Sequence, residues 1–204
     1  MIKDLYDEPN DVKWKAESIM SAKYVCGYCG ALVSSEKGMP ITEQGDYSTR
    51  PQKGNYGVYV CTNCHMPTFL YEDIQVPGSR FGAPVKNVPD NVNSIYEEAR
   101  SSYAANAYTG VVLLCRTLLM HVGVDFGADT GKSFQYYVTY LKEKGYVSIR
   151  SNEWVDEIRK YGNTSTHEIK INTKVEAQTI LQFCEMLLKM NYEYPSIVKH
   201  EQND

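Results

Sequence analysis

The chain has 204 residues, 43% hydrophobic and 23% charged, with a formal net charge of −4. This length allows one domain or two with a proper core, and this composition excludes a disordered polymer. The acidic balance excludes a generally cationic nucleic-acid binder, and residues 21–90 hold six basic and six acidic side chains, so no segmental excess replaces it. Residues 1–20 form a polar arm with one apolar trio, Trp14, Ile19 and Met20. The start does not read as a signal peptide, and no apolar run approaches the roughly 20 residues of a membrane span, so a cytoplasmic protein without a membrane partner is expected.

Residues 21–75 read as short strands and turns around two cysteine pairs, Cys26-Gly-Tyr-Cys29 and Cys61-Thr-Asn-Cys64. Each pair presents two thiolates from one tight turn, and two pairs supply the four soft ligands of a tetrahedral Zn²⁺. Gly27 and Gly30 let backbone N–H groups turn toward the sulfurs. Lys23–Val25 leads into the first knuckle and Ala31–Val33 out of it; Tyr56–Val60 and Phe69–Tyr71 flank the second. Between them lies a long polar loop containing Gly38, Pro40, Gly45, Pro51 and Gly54. This is the layout of a zinc ribbon. The metal serves either as a finger that touches nucleic acid or a partner, or as a staple for a module with little core of its own. Four thiolates leave no open position for catalysis. Cys115 and Cys184 sit alone in apolar helical patterns, as reduced thiols do. A secreted disulfide framework is the competing account of the six cysteines.

Residues 76–91 are rich in proline and glycine and read as a linker. From Val92 the periodicity is helical. A first helix starts near Asp90 or Asn93, either of which suits a cap, and shows Val92, Ile95, Tyr96, Ala99 and Tyr103 on one face. A second, from about Gly110 to Val122, is apolar nearly all round and is expected at the centre of the core, with Gly123 as its stop. A third spans Ser133–Lys144 and stops at Gly145. A fourth starts near Ser151, and a fifth runs from Thr173 to Tyr192, before Pro195. The expected fold class is α+β: a small N-terminal β zinc ribbon (21–75), then an all-α bundle (92–195) and a short tail (196–204).

Three polar features stand out. Gly127-Ala-Asp-Thr-Gly131-Lys132-Ser133 imitates a phosphate-binding loop but is one residue short and follows a helix, so Ser133 reads as a helix cap. Arg116, in the most apolar helix, must pair or snorkel, with Glu97 and Glu98 as expected partners, or else act as a ligand-binding cation. The run Arg159-Lys160-Tyr-Gly-Asn163-Thr-Ser-Thr-His167 gathers cations, an amide, hydroxyls and an imidazole. Such a set can hold a phosphodiester and move its protons, or it can simply be a polar helix end.

The run from Tyr96 through Arg116, then Trp154–Arg159, Gly162-Asn163 and His167, resembles the bacterial domain DUF4145, over roughly residues 90–195. The ordered set Arg–x–x–Gly–Asn–x–x–x–His carries most of the likeness. That family in turn resembles the HEPN superfamily of helical bundles, many of them ribonucleases or parts of antiphage and toxin systems. The resemblance implies a HEPN-like bundle that pairs as a homodimer. Its implied setting is prokaryotic or phage-linked defence, restriction-modification or another nucleic-acid transaction, with RNA, DNA or a defence protein as partner. It also implies a metal-independent endoribonuclease with His167, Arg159 and Asn163 as catalytic residues and Lys160 and Arg116 on the ligand. In this chain seven residues separate Arg159 from His167, and Gly162 stands where the active HEPN pattern places arginine. A binding or regulatory module is therefore the first reading, with the nuclease and a protein–protein adaptor as alternatives.

Overall fold

A computed structural model describes residues 15–41, 56–148, 152–161 and 171–200. It divides the chain into two compact units between Arg80 and Phe81.

The first unit is an antiparallel sheet of five strands in sequential order: β1 (Glu17–Val25), β2 (Leu32–Pro40), β3 (Tyr56–Val60), β4 (Pro67–Tyr71) and β5 (Ile74–Val76). One face buries Ile19, Tyr24, Val33, Tyr59 and Leu70. The expected loop between the knuckles gives up its first part to β2, and β1 begins inside the expected arm. Their ladder carries an irregularity, a kink, where the register shifts between Ser18 and Ala22, opposite Ser35 to Lys37. Ser35 is fully buried and its Oγ donates to the Val60 carbonyl at 2.6 Å, while the Lys37 N–H donates to Ser35 Oγ at 3.4 Å. One hydroxyl thus satisfies the backbone where the ladder breaks, and the strand continues through polar residues that alternation alone does not flag. Gly38 is required beyond the kink, because a Cβ there would overlap the Val58 carbonyl.

The opposite face of this sheet is also apolar. Register places Met39, Val58, Phe69 and Val76 in one cross-strand row over β2 to β5. Tyr56, Tyr71 and Ile74 form a second row, and Ile41 extends it through its N–H contact to the Tyr56 carbonyl. The Tyr56 and Tyr71 rings meet edge to face at 5.0 Å.

The second unit is a helical bundle: α1 (Asp90–Ala104), α2 (Tyr108–Asp125), α3 (Phe134–Glu143), α4 (Asn152–Lys160), α5 (Lys174–Leu188) and α6 (Tyr194–His200), with a π-helical turn, Lys189–Glu193, joining the last two. α2 packs against α1, α3 and α5, and α4 touches both α3 and α5. Length and composition alone would let α2 cross a membrane. Its Val111, Val112, Cys115, Leu118, Leu119 and Val122 are instead buried in the bundle, as expected of the central core helix.

Helix limits follow local chemistry. Ser133 accepts the Tyr136 N–H and caps α3, as the phosphate-loop mimic led us to expect, and Gly145 follows with φ 79°. Thr173 and Glu176 form a reciprocal capping box at α5. Two expectations fail. Neither Asp90 nor Asn93 caps α1: Pro89 stands at that position, its carbonyl accepting the Asn93 N–H, and Asp90 lies in the first turn. Gly123 does not stop α2. It lies inside the helix because a Cβ there would come within 2.9 Å of the Tyr137 ring.

The proline-rich segment is not a free linker after Arg80. Val85 is buried in the bundle core and Phe81 and Val88 pack against it. The Tyr96 hydroxyl donates to the Ala83 carbonyl at 2.9 Å, and the Lys86 N–H donates to Glu193 at 2.8 Å. Composition marks extended backbone here, and that backbone is a strap along the bundle.

Candidate metal centre

The two knuckles are local copies of one another. In the first, the Cys26 N–H donates to the Ala31 carbonyl and the Gly30 N–H to the Cys26 carbonyl, at 2.9 and 2.8 Å. In the second, the Cys61 N–H donates to Met66 and the His65 N–H to Cys61, at 3.0 and 2.9 Å. Both turns need a left-handed residue directly after the second cysteine. Gly30 supplies φ 73° and His65 supplies φ 59°. His65 therefore has a backbone role and is exposed. Gly27 is fixed by close approach, because a Cβ would overlap the Gly78 carbonyl.

These turns bring all four sulfurs within 4.8 Å of one another. Cys26 and Cys64 are 3.7 Å apart, and Cys29 and Cys61 are 3.8 Å apart. A tetrahedral ion with metal–sulfur bonds of about 2.3 Å holds its ligands about 3.8 Å apart. The four side chains are therefore compatible with a closed thiolate centre, two of their pairs already at that spacing. Amide groups already face the sulfurs: the Asn63 and Cys64 N–H groups reach Cys61 Sγ at 3.4 and 3.5 Å, and Asn63 Nδ2 reaches Cys29 Sγ at 3.5 Å. Such donors stabilise thiolates and orient them for a metal.

The environment separates two of the thiols. Burial raises Cys26 above its ordinary value. Burial also acts upward on Cys29, but the Asn63 amide, the Ala31 N–H and the neighbouring thiols outweigh it, and Cys29 is lowered to about 7. Cys115 and Cys184 take no part. Both are buried in the bundle, where the Cys184 thiol approaches the Cys115 carbonyl at 3.9 Å, and all six cysteines are unbridged.

Of the other sequence-predicted residues, Arg159, Lys160 and Arg116 are described. Asn163 and His167 lie outside the described residues. Arg159 Nη1 donates to Asp156 at 2.7 Å and Nη2 to Thr139 Oγ1 at 2.8 Å, which ties α4 to α3. Lys160 pairs with Glu157 on its own helix at 2.6 Å. Arg116 lies over the Phe134 ring at 5.2 Å, and burial lowers its pKa.

The ion pair expected of Arg116 with Glu97 forms instead on Arg100. That guanidinium, 6% exposed, holds both Glu97 carboxylate oxygens at 2.7 and 2.9 Å. Its other nitrogens donate to the Gly82 and Phe81 carbonyls at 2.8 and 3.3 Å. The i, i+3 spacing of Glu97 and Arg100 was the available signal. Arg116 lies in a more apolar helix, and a ring on α3 shelters it there.

The family model of the Domain of unknown function DUF4145 matches residues 97–203, just over half of the chain. No curated protein and no solved structure matches. With α1 to α6 spanning that match behind a four-cysteine sheet, the chain belongs to the DUF4145 family.

Proposed function

We propose that this protein is a two-part binding or regulatory module, acting in prokaryotic or phage-linked defence or nucleic-acid transactions. In this reading its first part is a zinc ribbon and its second a HEPN-like bundle. The observation that carries it is the closed set of four sulfurs. Their close spacing suits Zn²⁺, and four thiolates leave the ion no position for substrate, so its contribution is to hold the sheet. Unbridged thiols in both units support a reducing, cytoplasmic setting. The commitment of Arg159 to Asp156 and Thr139, and of Lys160 to Glu157, favours binding over cleavage. A cation already half neutralised by its own helix is a poor electrophile for a transition state, yet it still offers charge to an anionic ligand. Homodimerisation through the bundle belongs to the same reading and rests on the family likeness.

Fluorescence anisotropy with labelled single-stranded RNA and DNA tests it. The reading expects salt-sensitive binding, weakened about tenfold in Arg159→Ala, the worth of one charge-assisted contact. Cleavage that persists in chelator, leaves a cyclic phosphate and falls on the order of a hundredfold in His167→Ala would establish the nuclease instead. No binding and no cleavage would leave the adaptor.

A further inference from the structure

The outer face of the sheet is apolar in two full rows, and the cysteine site makes no use of it. Met39 is 64% exposed, and Ile74 and Val76 are each 56% exposed. One-sided burial is the normal state of a small antiparallel sheet, and its open face is then polar. Here the open face carries seven apolar side chains in register, three of them aromatic, and Ile41 beside them. A patch of this kind on a small unit marks an interaction surface.

Charge and area indicate what covers it. Lys37 alternates with Met39 and lies beyond the first row, at the β2 corner. Glu72 and Asp73 form the turn from β4 to β5, beyond the second row, at the opposite corner. Among the described residues the rim therefore has one cationic and one acidic corner, a poor match to a polyanionic strand. It is a good match to itself. A two-fold axis along the other diagonal, from Ile41 to Val76, sets Lys37 of each copy against Glu72 and Asp73 of its partner. That axis lies about 65° from the strands, so the two sets of strands cross obliquely, at about 50°. At these exposures the rows present on the order of 500 Å² per copy, so pairing removes about 1,000 Å², the lower bound of a specific interface.

We propose that the outer face of the β2–β5 sheet is a self-association surface, on which a second copy of this chain docks sheet to sheet. It is separate from any pairing through the bundle. The interface is isologous, so one charge reversal disturbs two contacts.

Sedimentation velocity of the full metal-loaded chain, from about 1 to 200 μM, tests the proposal, a range set by the modest area. The wild type should dimerise. Val76→Asp should weaken the dimer at least tenfold while the metal content and helical circular dichroism stay unchanged. Lys37→Glu should weaken it, and Lys37→Glu combined with Asp73→Lys should restore it. A wild type that stays monomeric throughout overturns the proposal. So does a dimer indifferent to Val76→Asp, which would place pairing on the bundle, and so does a charge exchange that fails to rescue.

Discussion

His65 occupies the backbone position in the second knuckle that Gly30 occupies in the first, with φ 59° against 73°. A side chain at this angle crowds the following carbonyl, and glycine does not. His65→Gly should therefore stabilise the metal-loaded protein by about 0.5–1 kcal/mol, and Gly30→Ala should destabilise it by a similar amount. Thermal unfolding of both variants checks the pair. If His65→Gly lowers the midpoint or releases metal, the imidazole has a further role.

Metal retention should depend on pH in one direction. All four ligands must be thiolates, so affinity falls as pH falls. In the metal-free sheet the thiols oppose one another. Cys29, lowered from 9.0 to about 7, favours the fold above pH 9.0 and loses that contribution as pH falls through about 7. Cys26, raised by burial, favours the fold at lower pH, where it is neutral. After chelation at pH 7.5, iodoacetamide should label the exposed Cys29 at least tenfold faster than the buried Cys26, because thiolate fraction and access act together. Mass spectrometry reads the order, and equal rates would mean the knuckles do not persist without metal.

Arg100 and Arg159 should differ sharply as alanine variants. Arg100→Ala leaves Glu97 and two backbone carbonyls without a buried cation and should cost about 2–4 kcal/mol in urea unfolding. Arg159→Ala removes a pair whose carboxylate is 61% exposed and should cost under about 1 kcal/mol. Equal costs would contradict the assignment of the structural cation.

Gly123→Ala should destabilise the bundle although it removes a glycine from a helix interior. Propensity alone predicts a gain of about 1 kcal/mol. The Tyr137 ring is buried, and its hydroxyl is held between the Asp129 carbonyl and the Lys132 N–H at 3.0 and 3.2 Å, so it has little room to yield. Overpacking should outweigh propensity and leave a net cost of about 1–2 kcal/mol. Adding Tyr137→Leu should recover part of the loss.

The cysteine quartet and the helical stripes were legible in the sequence because each is written as a short-range spacing. Two residues between cysteines fix a turn, and three or four between apolar side chains fix a face. The kink at Ser35, the strap after Arg80 and the sheltering of Arg116 were not. Each depends on a partner distant in sequence, whether the Val60 carbonyl, Arg100 or Phe134. Gly123 shows the same limit. A glycine required by a neighbouring ring is indistinguishable, in one sequence, from a glycine that ends a helix.

The strap bears on where the chain can be cut. The family match begins at Glu97, inside α1, and helical periodicity begins near Asp90, yet the compact unit begins at Phe81. A fragment starting at either later point would strip Arg100 of two carbonyl acceptors and the core of Val85; one starting at Asp90 would also cost Tyr96 its hydrogen bond, and one starting at Glu97 would lose Tyr96 itself. Limited proteolysis should respect this edge, cleaving before Phe81 and sparing residues 81–89 for as long as the bundle stays folded.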